Sequence, residues 1–236
     1  MKHSKLTTIA LALCAATLLL APVIAGARAP DAQKHVAALK QSLAEGQKQI
    51  RQYEWVETTA VSLKGEEKSR QQKRCYYGAD GKLQKVPMSE PPPPQEKKRG
   101  LKGRVIENKK EEMKDYMQDA VALIKSYVPP EPARIQAVKD AGGLAVEPAA
   151  GKVAVTLNGY AKPGDKLSID LDPATDRLLG LAVNTYLDDA KDAVSLKVSF
   201  GALPDGTGYP ANIQLDAPAK NLAVNVTNSG HRKMAQ

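Results

Sequence analysis

The side chains able to do chemistry are few and scattered. Beyond residue 27 the chain has two histidines, His35 and His231, and one cysteine, Cys75. A metal centre needs several ligands at short, recognisable spacings, and a hydrolytic triad needs a nucleophile beside a histidine base. Neither histidine stands in such a pattern, and no Gly-x-Ser-x-Gly elbow or glycine-rich phosphate loop is present. Asp170, Asp172 and Asp176, and again Asp188, Asp189 and Asp192, supply oxygen atoms of the kind calcium takes. Both groups flank turns, however, and are read as carboxylates capping hairpin ends. A lone Cys75 forms no internal disulfide and is read as a small, buried or half-buried strand residue. The chain is therefore expected to bind rather than catalyse, with no cofactor and no metal.

Two basic clusters are the other chemical feature. Lys68, Arg70, Lys73 and Arg74 precede Lys97, Lys98, Arg99, Lys102 and Arg104, with Pro91–Pro94 between them. If both lie on one side of the fold, they form a surface for an anionic partner, either lipid head groups or an acidic protein. Nucleic acid is not expected, since the strands lack exposed aromatics on which bases stack.

The elements that position these residues are dominated by the last third of the chain. Between Lys152 and Thr227, apolar residues alternate with polar ones in six runs, as in Leu167, Ile169, Leu171 and in Val194, Leu196, Val198, Phe200. Period two means strands with one buried face. Turn chemistries such as Lys162-Pro163-Gly164 and Pro204-Asp205-Gly206 separate the runs, which predicts an antiparallel meander. Its apolar face must be covered by something earlier in the chain.

That earlier part predicts a helix over 31–51, three strands over 53–63, 67–77 and 83–86, and a proline-rich basic loop over 91–104. A second helix is expected over 105–127, on the stripe Ile106, Met113, Met117, Ala120, Val121, Ile124, Val128, and a short third helix opens at Pro132 and stops at Gly142-Gly143. The sum is an α+β domain, residues 28–236, with about nine strands. A cavity between the second helix and the sheet is expected to be lined by Met113, Met117, Val121, Ile124, Trp55, Leu181, Leu196 and Phe200. The basic surface is expected at Arg70, Lys73, Arg74, Lys97, Lys98, Arg99 and Lys102.

Compartment is read from the first residues. Lys2, His3 and Lys5 precede the uncharged run Leu6–Ile24, and Ala25-Gly26-Ala27 offers small residues for a signal peptidase. Cleavage after Ala27 is favoured over Ala27-Arg28-Ala29, which Pro30 would follow. The cut removes Lys2 and Lys5, so the formal charge of +8 falls by two. No second apolar run is long enough to span a bilayer, and an exported, periplasmic or secreted monomer is expected.

A helix leading into antiparallel strands, two helices in mid-chain and then a meander resembles the LolA-like outer-membrane lipoprotein carriers. The segment from Asn184-Thr185-Tyr186-Leu187-Asp188-Asp189 through Leu203-Pro204-Asp205-Gly206 is similar to secreted bacterial proteins grouped with lipoprotein-sorting proteins. The resemblance implies an incomplete barrel wrapped around lid-like helices, and an apolar cavity that takes an acyl chain or a lipoprotein. It carries no individual binding residue. The alternative is the same fold closed over a filled core, meeting an anionic partner through the basic loop.

Overall fold

Ten antiparallel strands make one sheet, in the order β3-β2-β1-β10-β9-β8-β7-β6-β5-β4. The structure is a computed structural model that describes residues 45–89 and 101–234. The strands are β1 (Tyr53–Leu63), β2 (Glu66–Tyr77), β3 (Leu83–Pro87), β4 (Leu144–Ala149), β5 (Lys152–Asn158), β6 (Lys166–Leu171), β7 (Leu178–Tyr186), β8 (Ala193–Ala202), β9 (Gly208–Ala217) and β10 (Leu222–Lys233). Helix α1 is Leu101–Lys125 and α2 is Pro132–Asp140; residues 45–50 are also helical. The predicted leader, most of the first predicted helix, the proline run and Lys97, Lys98 and Arg99 lie outside the described residues.

All neighbouring strands but one pair are joined by a turn of a few residues. The exception is β1 with β10, which runs from Leu63↔Leu222 to Tyr53↔Lys233 and attaches the N-terminal three strands to the meander. A bulge interrupts it beside Trp55, where Gly230 takes φ +64, a conformation glycine adopts without strain.

The sequence predicts about nine strands, and β4 is the one it misses. Only Leu144 and Val146 mark its inner face, and Pro148 argues against a strand. Proline is tolerated there because β4 is an edge and needs no outward donor. The other edge, β3, likewise ends in Pro87.

Register converts the alternation into rows. One row on the inner face runs Leu144, Leu157, Leu167, Val183, Leu196, Leu215, Val224, Val61. The next runs Val146, Val155, Ile169, Leu181, Val198, Ile213, Val226 and then Thr59. The opposite face carries Thr156, Ser168, Ala182, Lys197, Gln214 and Asn225, and meets water. The sheet is open and curved, an incomplete barrel with helices on its apolar face.

Helix α1 crosses the strand ends rather than lying along the strands. At about 1.5 Å per residue its 25 residues are about as long as eight strands are wide. Met113, Tyr116, Met117, Ala120, Leu123 and Ile124 recur every three to four residues and pack on the core, as does Tyr127 just beyond the helix. Three polar contacts fix this side to turns at one end of the sheet. Glu112 pairs with Lys220 at 3.7 Å beside the β9–β10 turn. Tyr116 donates to Asp192 at 2.6 Å in the β7–β8 turn, and Tyr127 donates to Asp165 at 2.6 Å before β6. Burial and these carboxylates raise both phenols well above their ordinary range. Helix α2 lies over β4 and β5 and buries Val138.

Asp165 is the costliest of these partners to bury, at 2% exposed. Its Oδ2 also accepts from the Ala161 and Lys162 N–H groups at 2.9 and 2.8 Å, and Tyr127 shares a 2.7 Å bond with Thr185. Tyr127→Phe removes one donor and leaves the ring in place. The expected loss is about 1–3 kcal/mol, read as a lower urea midpoint with an unchanged slope.

Candidate functional site

The inner face is not covered evenly. Leu157, Leu167 and Val183 are fully buried, and Leu196 and Leu215 nearly so, where α1 and α2 pack on the core. Further along the same two rows Ile213, Val224, Val226 and Val61 are only half-buried, as is Phe200 of β8. These side chains form an aliphatic trough over β9, β10 and β1, with Met113 and Met117 of α1 packed at its upper border.

The lower border is an aromatic cluster about 27 Å down β1 from Leu63, eight residues at the strand rise. Trp55 stacks on His231 with ring centroids 5.9 Å apart and planes 13° apart, and Tyr209 lies 4.0 Å from His231 on another side. The Trp55 Nε1–H donates to Asn228 Oδ1 at 3.1 Å, and Asn228 Nδ2 donates to the Pro210 carbonyl at 2.8 Å, which ties β1, β10 and β9 together. Tyr53 donates to Asp205 at 2.5 Å, and Lys233 lies 3.8 Å from the same carboxylate. The hydrogen bond from Tyr53, then those from Thr207, hold Asp205 down at about 2.

The residues expected to line one cavity are therefore divided. Met113, Met117 and Ile124 are on the packed side of α1, Leu181 and Leu196 are core beneath it, and Phe200 is at the trough. Val121 is 40% exposed and lies off the packed stripe, which turns through Tyr116 and Leu123 instead. Periodicity alone admits either choice, and the anchors at Asp192 and Asp165 select the tyrosine side. Trp55 belongs to the aromatic cluster, at the opposite end of β1 from α1.

The basic surface is divided as well. Arg70 and Arg74 face outward, whereas Lys73, an odd position on the same regular ladder, faces inward beside Glu57. Arg70 is held by Glu67 through bonds of 2.9 and 2.6 Å, and Arg74 lies 5.3 Å over the Tyr76 ring. Lys102 belongs to α1. The turn carboxylates are engaged locally: Asp172 accepts from the Ala174 N–H at 2.8 Å and Asp189 from the Lys191 N–H at 2.9 Å. Cys75 is fully buried, and burial raises its thiol above the ordinary range, so it is a poor nucleophile.

Sequence reasoning named His231 but assigned it no place in the fold; it stands in β10. That reasoning missed Tyr116, Tyr127 and Tyr209. Asp165 carried a signal, being in phase with Leu167 and Ile169 on the buried side.

The fold defines an open antiparallel half-barrel with a helix-bordered apolar trough. Two solved structures are similar to it. One is a DUF1329 family protein from Desulfovibrio piger, 12% identical, with a TM-score of 0.39 over 84% of this chain and 92% of that one. The other is a LolA superfamily protein from Nitrosomonas europaea, 11% identical, with a TM-score of 0.38 over 83% and 94%. No protein-family profile and no curated protein matches the chain. Among the described residues no helix is long and apolar enough to cross a membrane, which says nothing of strands.

The His231 ring gives the aromatic cluster a pH dependence. Burial lowers its affinity for a proton, and its Nε2 is buried without a partner. A folded pKa below the unfolded value of about 6.5 means that the unfolded chain binds the extra proton first. Its contribution is complete above that value and declines as pH falls below it. Between pH 7.5 and 5 the melting temperature should drop, and His231→Phe should flatten that dependence.

Proposed function

We propose that the protein is an exported, non-catalytic carrier that holds an apolar ligand in the trough over β9, β10 and β1. One observation carries this reading: the aliphatic rows buried over β5–β8 continue, only partly buried among the described residues, through Ile213, Val224, Val226 and Val61. Contiguous apolar surface held in water costs about 25 cal/mol per Å², and an acyl chain laid on it recovers that cost. The thioethers of Met113 and Met117 at the upper border adapt to varied apolar shapes. The basic start, the uncharged run and the small-residue exit at Ala25-Gly26-Ala27 support export. The acyl moiety of a lipid or a lipoprotein is the ligand class that fits, and a monomer suffices to hold it.

Native mass spectrometry of the exported protein, followed by solvent extraction, is expected to release an acyl-containing ligand. Ile213→Lys places an ammonium on the trough floor at a partly buried position, where a long side chain can carry its charge out to water. It should weaken uptake of a fluorescent fatty acid by about tenfold or more, roughly 1.4 kcal/mol or above, while the melting temperature stays within a few degrees of the parent. A ligand-free parent that takes up no fatty acid contradicts the carrier reading.

A further inference from the structure

We infer that the trough takes an amphiphile with an anionic head, and that Lys73 of β2 holds the head. This deepens the carrier reading and rests on it. The aliphatic rows change character at one boundary, between β1 and β2. Val224 and Val61 are followed by Ser69, Val226 and Thr59 by Gln71, and Asn228 and Glu57 by Lys73. Pairing is regular from Trp55↔Cys75 to Val61↔Ser69, so all three β2 residues share the face of the trough. Ser69 and Gln71 are exposed and Lys73 is half-buried. A molecule lying across the strands thus meets aliphatic floor for three strands, about 14 Å at the interstrand spacing, and then a polar shoulder.

Charge decides what sits on the shoulder. Glu57 is the register partner of Lys73, but its carboxylate, 13% exposed, is bonded to Lys85 Nζ at 2.5 Å. Lys85 reaches it from the same face, through the pairing of Cys75 with Lys85. Lys73 makes no side-chain hydrogen bond or ion pair among the described residues. Two ammonium groups therefore face one carboxylate, leaving a net positive charge. The next acid on this side of β2, Glu66, is at the far end of the strand and paired with Lys68. Glu67 is turned to the outer face with Arg70. An ammonium is a compact charge on an apolar stem, suited to a carboxylate or phosphate at the end of a chain.

The test is a fluorescence titration of the whole exported chain with cis-parinaric acid and with its methyl ester at pH 8. The parent, Lys73→Met and Lys73→Arg are compared. The parent is expected to bind the acid about tenfold more tightly than the ester, an advantage that shrinks as salt rises. Lys73→Met should reduce acid binding to the level of the ester and leave the ester unchanged, which also reports an intact trough. Lys73→Arg should keep most of the advantage. Competition by oleate against oleoyl lysophosphatidate then tells carboxylate from phosphate. Equal binding of acid and ester by the parent, or an advantage that survives Lys73→Met, overturns the head-group assignment and leaves the carrier standing. Failure of both probes to bind the parent overturns the carrier reading and this inference with it.

Discussion

Two rows of aliphatic side chains cross the inner face of the sheet, and among the described residues their burial is deepest from β5 to β8 and falls off toward β10 and β1. Backbone pairing does not require a cover, since the ladders are complete without one. The side chains do: a sheet face of Leu, Val and Ile is stable in water only when packed. Where α1 and α2 supply the packing, Leu157, Leu167 and Val183 lose all contact with solvent. Toward β10 and β1 the rows persist, and among the described residues they are only partly buried.

Helix α1 is held by side-chain polarity as much as by its apolar stripe. Glu112, Tyr116 and Tyr127 each find a partner in a different turn at the same end of the strands. A helix fixed in this way closes one end of the half-barrel, and among the described residues the floor below it is only partly buried. The opposite end is knitted by a different chemistry, with Trp55, His231, Tyr209 and Asn228 linking three strands through rings and amides. The trough is what remains between these two structures.

Much of the fold was legible because period-two alternation is a direct record of which side chains face inward. The six meander strands, the two N-terminal hairpins and the Pro132 helix start are all found. Strand β4 was hidden by Pro148, whose cost disappears at an edge, a fact of topology that local sequence does not carry. The site was less legible. Helical spacing places Val121 and Tyr116 on neighbouring flanks of one stripe, and only the partner at Asp192 shows which flank turns inward. Trp55 and His231 are 176 positions apart, and nothing local announces that a bulge at Gly230 will stack them. The split of Arg70 and Arg74 from Lys73, by contrast, follows from parity alone once β2 is accepted as a regular strand.

The pairing of β1 with β10 also imposes an order in time. Trp55 and Asn228 are 173 positions apart, so the first strand of a chain made from its N-terminus waits for the last before its second ladder can form. Contacts of such separation are slow to close, because the intervening chain must be ordered first. Throughout that interval the eleven residues of β1 present an unpaired border next to bare aliphatic rows. Pro87 and Pro148 guard the outer margins of the finished sheet and give no protection here. The surface proposed to hold a ligand in the folded protein is thus the surface on which two nascent chains would join by mistake.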